Sequence, residues 1–230
     1  MSGVHEDGED PYSHKRYEGF PSGFFDRVDS SADDNFYAQP RMVTHIDDRA
    51  IRAVGDLYAE LKIGGRVLDL MSSWVSHFVD VPEDLVVLGM NSDELASNPQ
   101  ASSWCRHDLN VDPTIPFSDD CFDAVVCCVS IDYLVRPLEV FSDVHRVVRT
   151  GGVFVNSFSN RCFPTKAIRG WGQTDDQGHV AVVGEYYRRT GPWVDLEAQL
   201  RTPVGEPGDP LYAVWGYGAC LLYTSDAADE

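Results

Sequence analysis

Short, almost unbroken apolar runs alternate along this chain with segments of helical spacing, and that alternation is its strongest structural constraint. The runs are Val67 to Leu70, Leu85 to Gly89, Phe122 to Ser130 and Val153 to Phe158, and the more polar Ser103 to His107 reads as a further strand between them. Strands buried on both faces read this way, and parallel pairing requires a crossover between successive strands. The intervening segments supply crossovers. Asp47 caps a predicted helix whose inward face is Ile51, Val54, Tyr58 and Leu61, and Gly64-Gly65 stop it. A helix of medium length is expected in the seventies, before Pro82. Ser92 is the expected cap of another, which stops by Asn98-Pro99. Pro137 suits the first turn of a helix running to Val148 with Leu138, Phe141 and either Val144 or His145, together with Val148, inward, terminated by Gly151-Gly152. The expectation is a parallel sheet sandwiched by helices.

Beyond Ser159 the rhythm breaks into a Gly-rich, aromatic stretch with helical pieces around 164–171 and 180–189. Val194 to Leu200 and Leu211 to Tyr217 then read as a closing antiparallel pair. Residues 1–35 are rich in Asp, Glu, Gly and Ser without periodicity and are expected to be disordered or loosely draped. Phe36 to Asp47 is denser in functional side chains and reads either as a lid or as an arm packing Phe36, Met42 and Ile46 onto the domain. Cys220 to Glu230 matches a translated frame of a sequencing adaptor and is expected to be a read-through scar. The expected globular unit is therefore 36–219.

The formal charge is −19; the final segment contributes Asp226, Asp229 and Glu230 and no base, leaving −16 for the rest. Such a field repels nucleic acid and anionic membrane, and no basic stripe overrides it. No apolar run approaches spanning length and no signal-peptide pattern opens the chain, so a soluble cytoplasmic protein is expected. Cys105, Cys121, Cys127, Cys128 and Cys162 contain no CxxC pair and read as reduced thiols rather than a metal site.

Asp69 marks the site. It lies where the first run gives out, in the position from which a strand-end carboxylate borders the crevice beyond a parallel sheet. Ser72 and Ser73 follow and are expected to cap a helix whose free N–H groups meet a carboxylate or phosphate.

Val67-Leu68-Asp69-Leu70, Leu88-Gly89-Met90-Asn91, His107-Asp108-Leu109, Phe117 to Val125 and Arg146 to Gly152 stand as five ordered motifs. With them the chain from about Asp47 to Tyr217 resembles the class I S-adenosylmethionine-dependent methyltransferases, most closely the type 11 group. The resemblance implies a Rossmann-like α/β three-layer sandwich, its mostly parallel seven-stranded sheet ending in an antiparallel hairpin. It also implies S-adenosyl-L-methionine as cofactor, bordered by Asp69, Leu70, Met71, Ser72, Ser73, Met90, Asn91, Asp108, Leu109 and Ser130. Asp69 would approach the amino group, the residue ending strand two the ribose hydroxyls, and Asp108 the adenine amino group; Ser130 and Ile131 would lie beside the sulfonium. The chain departs from the family in two places: Met71-Ser72-Ser73-Trp74 replaces a glycine-rich turn, and Asn91 stands where an acid chelates the ribose.

Substrate candidates are Tyr37, Arg41, His77, Tyr133 and Arg161, with His45 and Asn160 nearby. His77 reads as facing the pocket or hydrogen-bonding internally, Arg161 as an anchor for an acid or a structural ion pair, and Asp132 and Asp143 as helix-start or solvated acids. Three functions compete. A small-molecule methyltransferase working by positioning is favoured by the motifs. A non-catalytic domain binding a ligand or partner is allowed by the altered turn, and a dinucleotide oxidoreductase is disfavoured by the missing Gly-x-Gly-x-x-Gly.

Overall fold

The computed structural model describes residues 13–220, so the adaptor-like segment, Cys220 apart, lies outside the described residues. The strands are β1 (Arg66–Leu70), β2 (Asp84–Gly89), β3 (Ser103–Arg106), β4 (Phe122–Cys128), β5 (Val148–Phe158), β6 (Trp193–Leu200) and β7 (Tyr212–Gly218). They form one sheet in the order β3-β2-β1-β4-β5-β7-β6. Pairings are parallel from β3 through β5 and antiparallel for β5–β7 and β7–β6. The predicted α/β sandwich and its closing hairpin are both present. The strand order turns at β1 and β4, which puts the ligand crevice at the carboxyl ends of those two strands.

Alternation along β1 explains the two layers. Leu68 and Leu70 enter one core with Phe141, Tyr186 and Tyr187, whereas Val67 enters the other with Val54, Leu57 and Tyr58. The first core is covered by helices α3 (Pro137–Val147) and α4 (Asp176–Thr190). Over the second lies α1 (Asp48–Glu60), where the Asp47 side chain accepts the Ala50 N–H at 2.8 Å, as its position requires of a cap. A single-turn helix, α2 (Ser92–Ala96), follows β2. No helix among the described residues is long and apolar enough to cross a membrane.

Three local expectations fail. The seventies, expected to be helical up to Pro82, contain no helix. After Met71 no strong helix former occurs before Glu83; serines that compete for backbone hydrogen bonds and bulky Trp74, Val75, Phe78 and Val79 occupy the interval. Gly55 of α1 admits this loop: a Cβ there would lie 3.0 Å from the His77 carbonyl oxygen. Second, α2 is capped by Asn91, whose Oδ1 accepts from Asp93 and Glu94 N–H at 3.0 and 3.1 Å, and not by Ser92. Third, α3 stops at Val147 and β5 starts at Val148, so Gly151-Gly152 lie inside the strand. A Cβ on Gly152 would meet the Asp123 carbonyl at 2.7 Å, and the β4–β5 register shifts between Phe122 and Ala124.

Within the acidic leading segment, the part after residue 14 is packed rather than draped. Tyr17, Phe20, Phe24 and Phe25 form an edge-on aromatic group against Tyr186. Arg27 forks onto Asp33 through Nη1 at 2.8 Å to both oxygens, and fully buried Lys166 reaches Asp33 at 3.0 Å and Asp29 at 3.1 Å. Burial pulls the Asp33 carboxyl up, while hydrogen bonds from Arg27, Asn110 and Lys166 more than offset that and hold it below its ordinary value. Composition predicts disorder because it counts charges; here the charges are paired and the aromatics have a core to join.

Candidate functional site

A cavity of about 300 Å³ lies beyond the carboxyl ends of β1, β2 and β4, roofed by residues 37–46. Of the residues named from sequence, Asp69, Met71, Ser72, Ser73, Met90, Asn91, Asp108, Leu109 and Ser130 line it, with Tyr37, Arg41, His77, Tyr133 and Arg161. Leu70 does not; it points into the helical core on the opposite face and is fully buried.

Asp69 shares the face of Val67, under Tyr58. Its Oδ2 accepts from Ser72 Oγ at 2.7 Å and Ser76 Oγ at 2.5 Å, and among the described residues no group donates to Oδ1, which is left to the cavity. Burial pushes this carboxyl up to about 6, against the opposing effect of the two hydroxyls. Hydroxyls thus do the work expected of helix N–H groups. The loop is pinned in turn by Asn98, which donates to Ser76 Oγ at 3.0 Å and to the Ser73 carbonyl at 3.1 Å, and by Gln100, which donates to the Phe78 carbonyl at 2.8 Å. The backbone groups that a helix would satisfy are met by side chains from the α2–β3 connection.

The turn itself leans on β2. Ser72 N–H donates to the Leu88 carbonyl at 2.7 Å, and a Cβ on Gly89 would lie 2.2 Å from the Ser72 carbonyl oxygen. Met71 has φ +56°, the left-handed region where a glycine would be at ease, and at the matching end of β4 Val129 has φ +46°. For a β-branched residue that is a strained conformation, of order 1–3 kcal/mol. Both strained residues sit in the cavity wall.

Asn91, the residue in the ribose position, is fully engaged. Its Oδ1 caps α2 and its Nδ2 donates to the Tyr37 carbonyl at 2.8 Å. It latches the roof. Glu94 does likewise, accepting the Arg41 N–H at 2.6 Å and Ser73 Oγ at 2.5 Å, and Trp74 Nε1 donates to the Val43 carbonyl at 3.1 Å. Asp108 accepts from Asn110 and Val111 N–H through Oδ1 alone.

Arg161 is neutralised by Asp209 at 2.6 Å. Tyr133 accepts the Phe163 N–H at 2.9 Å, and burial raises its hydroxyl far above the ordinary value. His77 lies in the loop rather than on a helix, facing the cavity; burial lowers its pKa, as it lowers that of His45, whose ring meets Phe163 edge-on. Burial thus favours the neutral form of both imidazoles. Cys128 lines the wall as a thiol, pushed up to about 12 by burial, and is no nucleophile. Among the described residues no group of His, Cys, Asp or Glu is disposed to hold a metal ion.

Two features escaped sequence reasoning. Glu94 reads as a surface acid of a short helix, and only its spacing from Asn91 hints at a cap. Asp132, read as a helix-start acid, is buried; its carboxyl is pushed up to about 8 by desolvation and its Oδ2 lacks a partner.

Residues 89–156 match the sequence profile of the type 11 methyltransferase domain. No curated protein matches the sequence. Among solved structures, the chain is similar to a phosphoethanolamine N-methyltransferase of Haemonchus contortus determined with S-adenosyl-L-methionine (12% identity, 74% of this chain, 52% of that one, TM-score 0.52). This chain thus spans about half of that protein's length. It is also similar to a SAM-dependent methyltransferase from Thermotoga maritima (12% identity, 74% and 87% covered, TM-score 0.52) and to the [4+2]-cyclase SpnF (14%, 81% and 91%, TM-score 0.52). At these identities the likeness is one of fold.

Proposed function

We propose, from the premise that this chain belongs to the class I S-adenosylmethionine-dependent methyltransferases, that it transfers a methyl group from that cofactor to a small-molecule acceptor. The observation that carries the reading is Asp69: a carboxylate at the tip of a central strand, one oxygen held by two serines and the other left to a cavity. A cationic ammonium beside Oδ1 would favour the charged form that burial disfavours.

The remaining wall suits the cofactor in part. Asp108 keeps Oδ2 for an adenine amino group, and Met71, Met90 and Leu109 supply apolar surface for the base. The ribose hydroxyls lose the charged acceptor usual at the end of the second strand, because Asn91 is spent on α2 and the roof. Affinity is therefore expected at the weaker end of the family.

When bound, the sulfonium supplies a methyl carbon already activated for in-line displacement. The chain's own contribution is placement and dryness. The roof, latched through Asn91, Glu94 and Trp74, excludes water. His45 and His77, whose neutral forms burial favours, stand in the wall where each is placed to take a proton from an acceptor N–H or O–H.

Titration calorimetry with S-adenosylmethionine, S-adenosylhomocysteine and NAD tests the assignment. Binding of the two adenosyl compounds and not of NAD is expected. Tight binding of NAD alone would move the chain to the oxidoreductases, and cofactor binding with no turnover over a broad acceptor panel would favour the second reading, a ligand- or partner-binding domain that keeps the adenosyl site.

A further inference from the structure

The cavity wall holds two arginines in opposite electrostatic situations. Arg161 is paired with Asp209, whereas Arg41 has no carboxylate within ion-pair distance of its guanidinium among the described residues. That group lies over the Phe36 ring, 4.4 Å from its centroid, and 5.5 Å from the ring of Phe163. Nη2 donates to the Phe36 carbonyl at 2.8 Å; Nη1 is buried and meets no hydrogen-bond partner among the described residues. A buried donor left unmade is costly, and such groups point to something that binds there. Glu94 does not complete it: its oxygens accept the backbone N–H of Arg41 and Ser73 Oγ, and no ion pair joins it to the guanidinium among the described residues.

We propose that the methyl acceptor carries a carboxylate and that Arg41 receives it. This rests on the methyltransferase reading above. A planar monoanion suits this guanidinium, whose edge meets a carboxylate in its own plane. A doubly charged group would face Asp69 and Glu94 in the same wall. The formal net charge, −19 for the full sequence, repels anions from the protein as a whole, so an uncompensated cation inside the cavity is what would admit one. Arg41 is then a specificity-determining residue.

The test is calorimetry on the protein saturated with S-adenosylhomocysteine, using benzoate against benzamide and hexanoate against hexanamide. At least one carboxylate is expected to bind tenfold or more tightly than its amide. Arg41→Gln is expected to abolish that preference, Arg41→Lys to keep part of it, and both variants to hold S-adenosylhomocysteine within twofold of the parent with unchanged thermal unfolding. Equal binding of acid and amide by the parent protein overturns the proposal while the cofactor reading stands. So does a preference that survives Arg41→Gln, or a tenfold loss of S-adenosylhomocysteine affinity in that variant, which would assign Arg41 to the cofactor's own carboxylate. A parent protein that binds no S-adenosylhomocysteine ends the cofactor reading and this proposal together.

Discussion

The crossover from β4 to β5 and the crossover from β1 to β2 do the same topological job with opposite chemistry. The first obeys local rules: Pro137 opens α3, apolar residues recur at helical spacing, and Phe141 packs edge-on against Phe154, Tyr186 and Tyr187 at centroid distances of 4.9–5.4 Å. The second has no helix, is held by hydroxyl and amide side chains, buries a carboxyl and sits beside two residues in left-handed backbone. Where local preference and the global fold agree, a segment is scaffold; where they conflict and side chains compensate, the segment borders the cavity.

Substitutions in the two crossovers should therefore separate stability from binding. Phe141→Ala should lower unfolding free energy by about 3–5 kcal/mol in urea titration and leave S-adenosylhomocysteine affinity within twofold; a large loss of affinity would join the regions the comparison keeps apart. Asp69→Asn should do the reverse. Burial raises the folded carboxyl from 3.8 to about 6, so the unfolded chain loses its proton first. Stability then falls as pH rises from about 4 through 6 and does not recover above. The asparagine variant should lack that fall, gaining on the order of 2–3 kcal/mol relative to the parent between pH 4 and 7, measured by unfolding at several pH values. A constant difference would mean the carboxyl is solvated.

Gly89→Ala drives a Cβ into the Ser72 carbonyl and should cost about 1–3 kcal/mol together with ligand affinity, because the turn itself must move. Unchanged unfolding would show the turn is not seated on β2. The smallest effect is expected from Ser76→Ala, about 1–2 kcal/mol, with the Asp69 carboxyl titrating still higher by NMR. A carboxyl that titrates lower would reverse the role assigned to the hydroxyl.

The sheet was legible because its signal is repetitive: four apolar runs and a more polar fifth, five parallel strands, and an antiparallel hairpin where the rhythm broke. Most of the cavity lining was legible for a related reason, since strand ends converge on one crevice whatever connects them. What failed was local. Ser72 and Ser73 look like helix caps, and nothing in single-residue preference says that their partners are a carboxylate and a glutamate twenty-odd residues away. Asn91 reads as a weakened ribose ligand, whereas its Oδ1 is spent on a local cap and its Nδ2 on a latch that only the distant roof supplies. The leading aromatics look stranded in an acidic tail, as their partner Tyr186 lies far along the chain. Leu70 was assigned to the cavity by adjacency, although alternation along a strand sends it to the other face.

The central claim is that the free oxygen of Asp69 meets a cation of the bound cofactor, and proton linkage tests it most directly. S-adenosylhomocysteine binding at pH 6, followed by calorimetry in buffers of different ionisation enthalpy, should release about half a proton as the carboxyl pKa falls. Asp69→Asn should release none and bind at least tenfold more weakly. Binding with no proton release, and with equal affinity in the variant, would contradict the account.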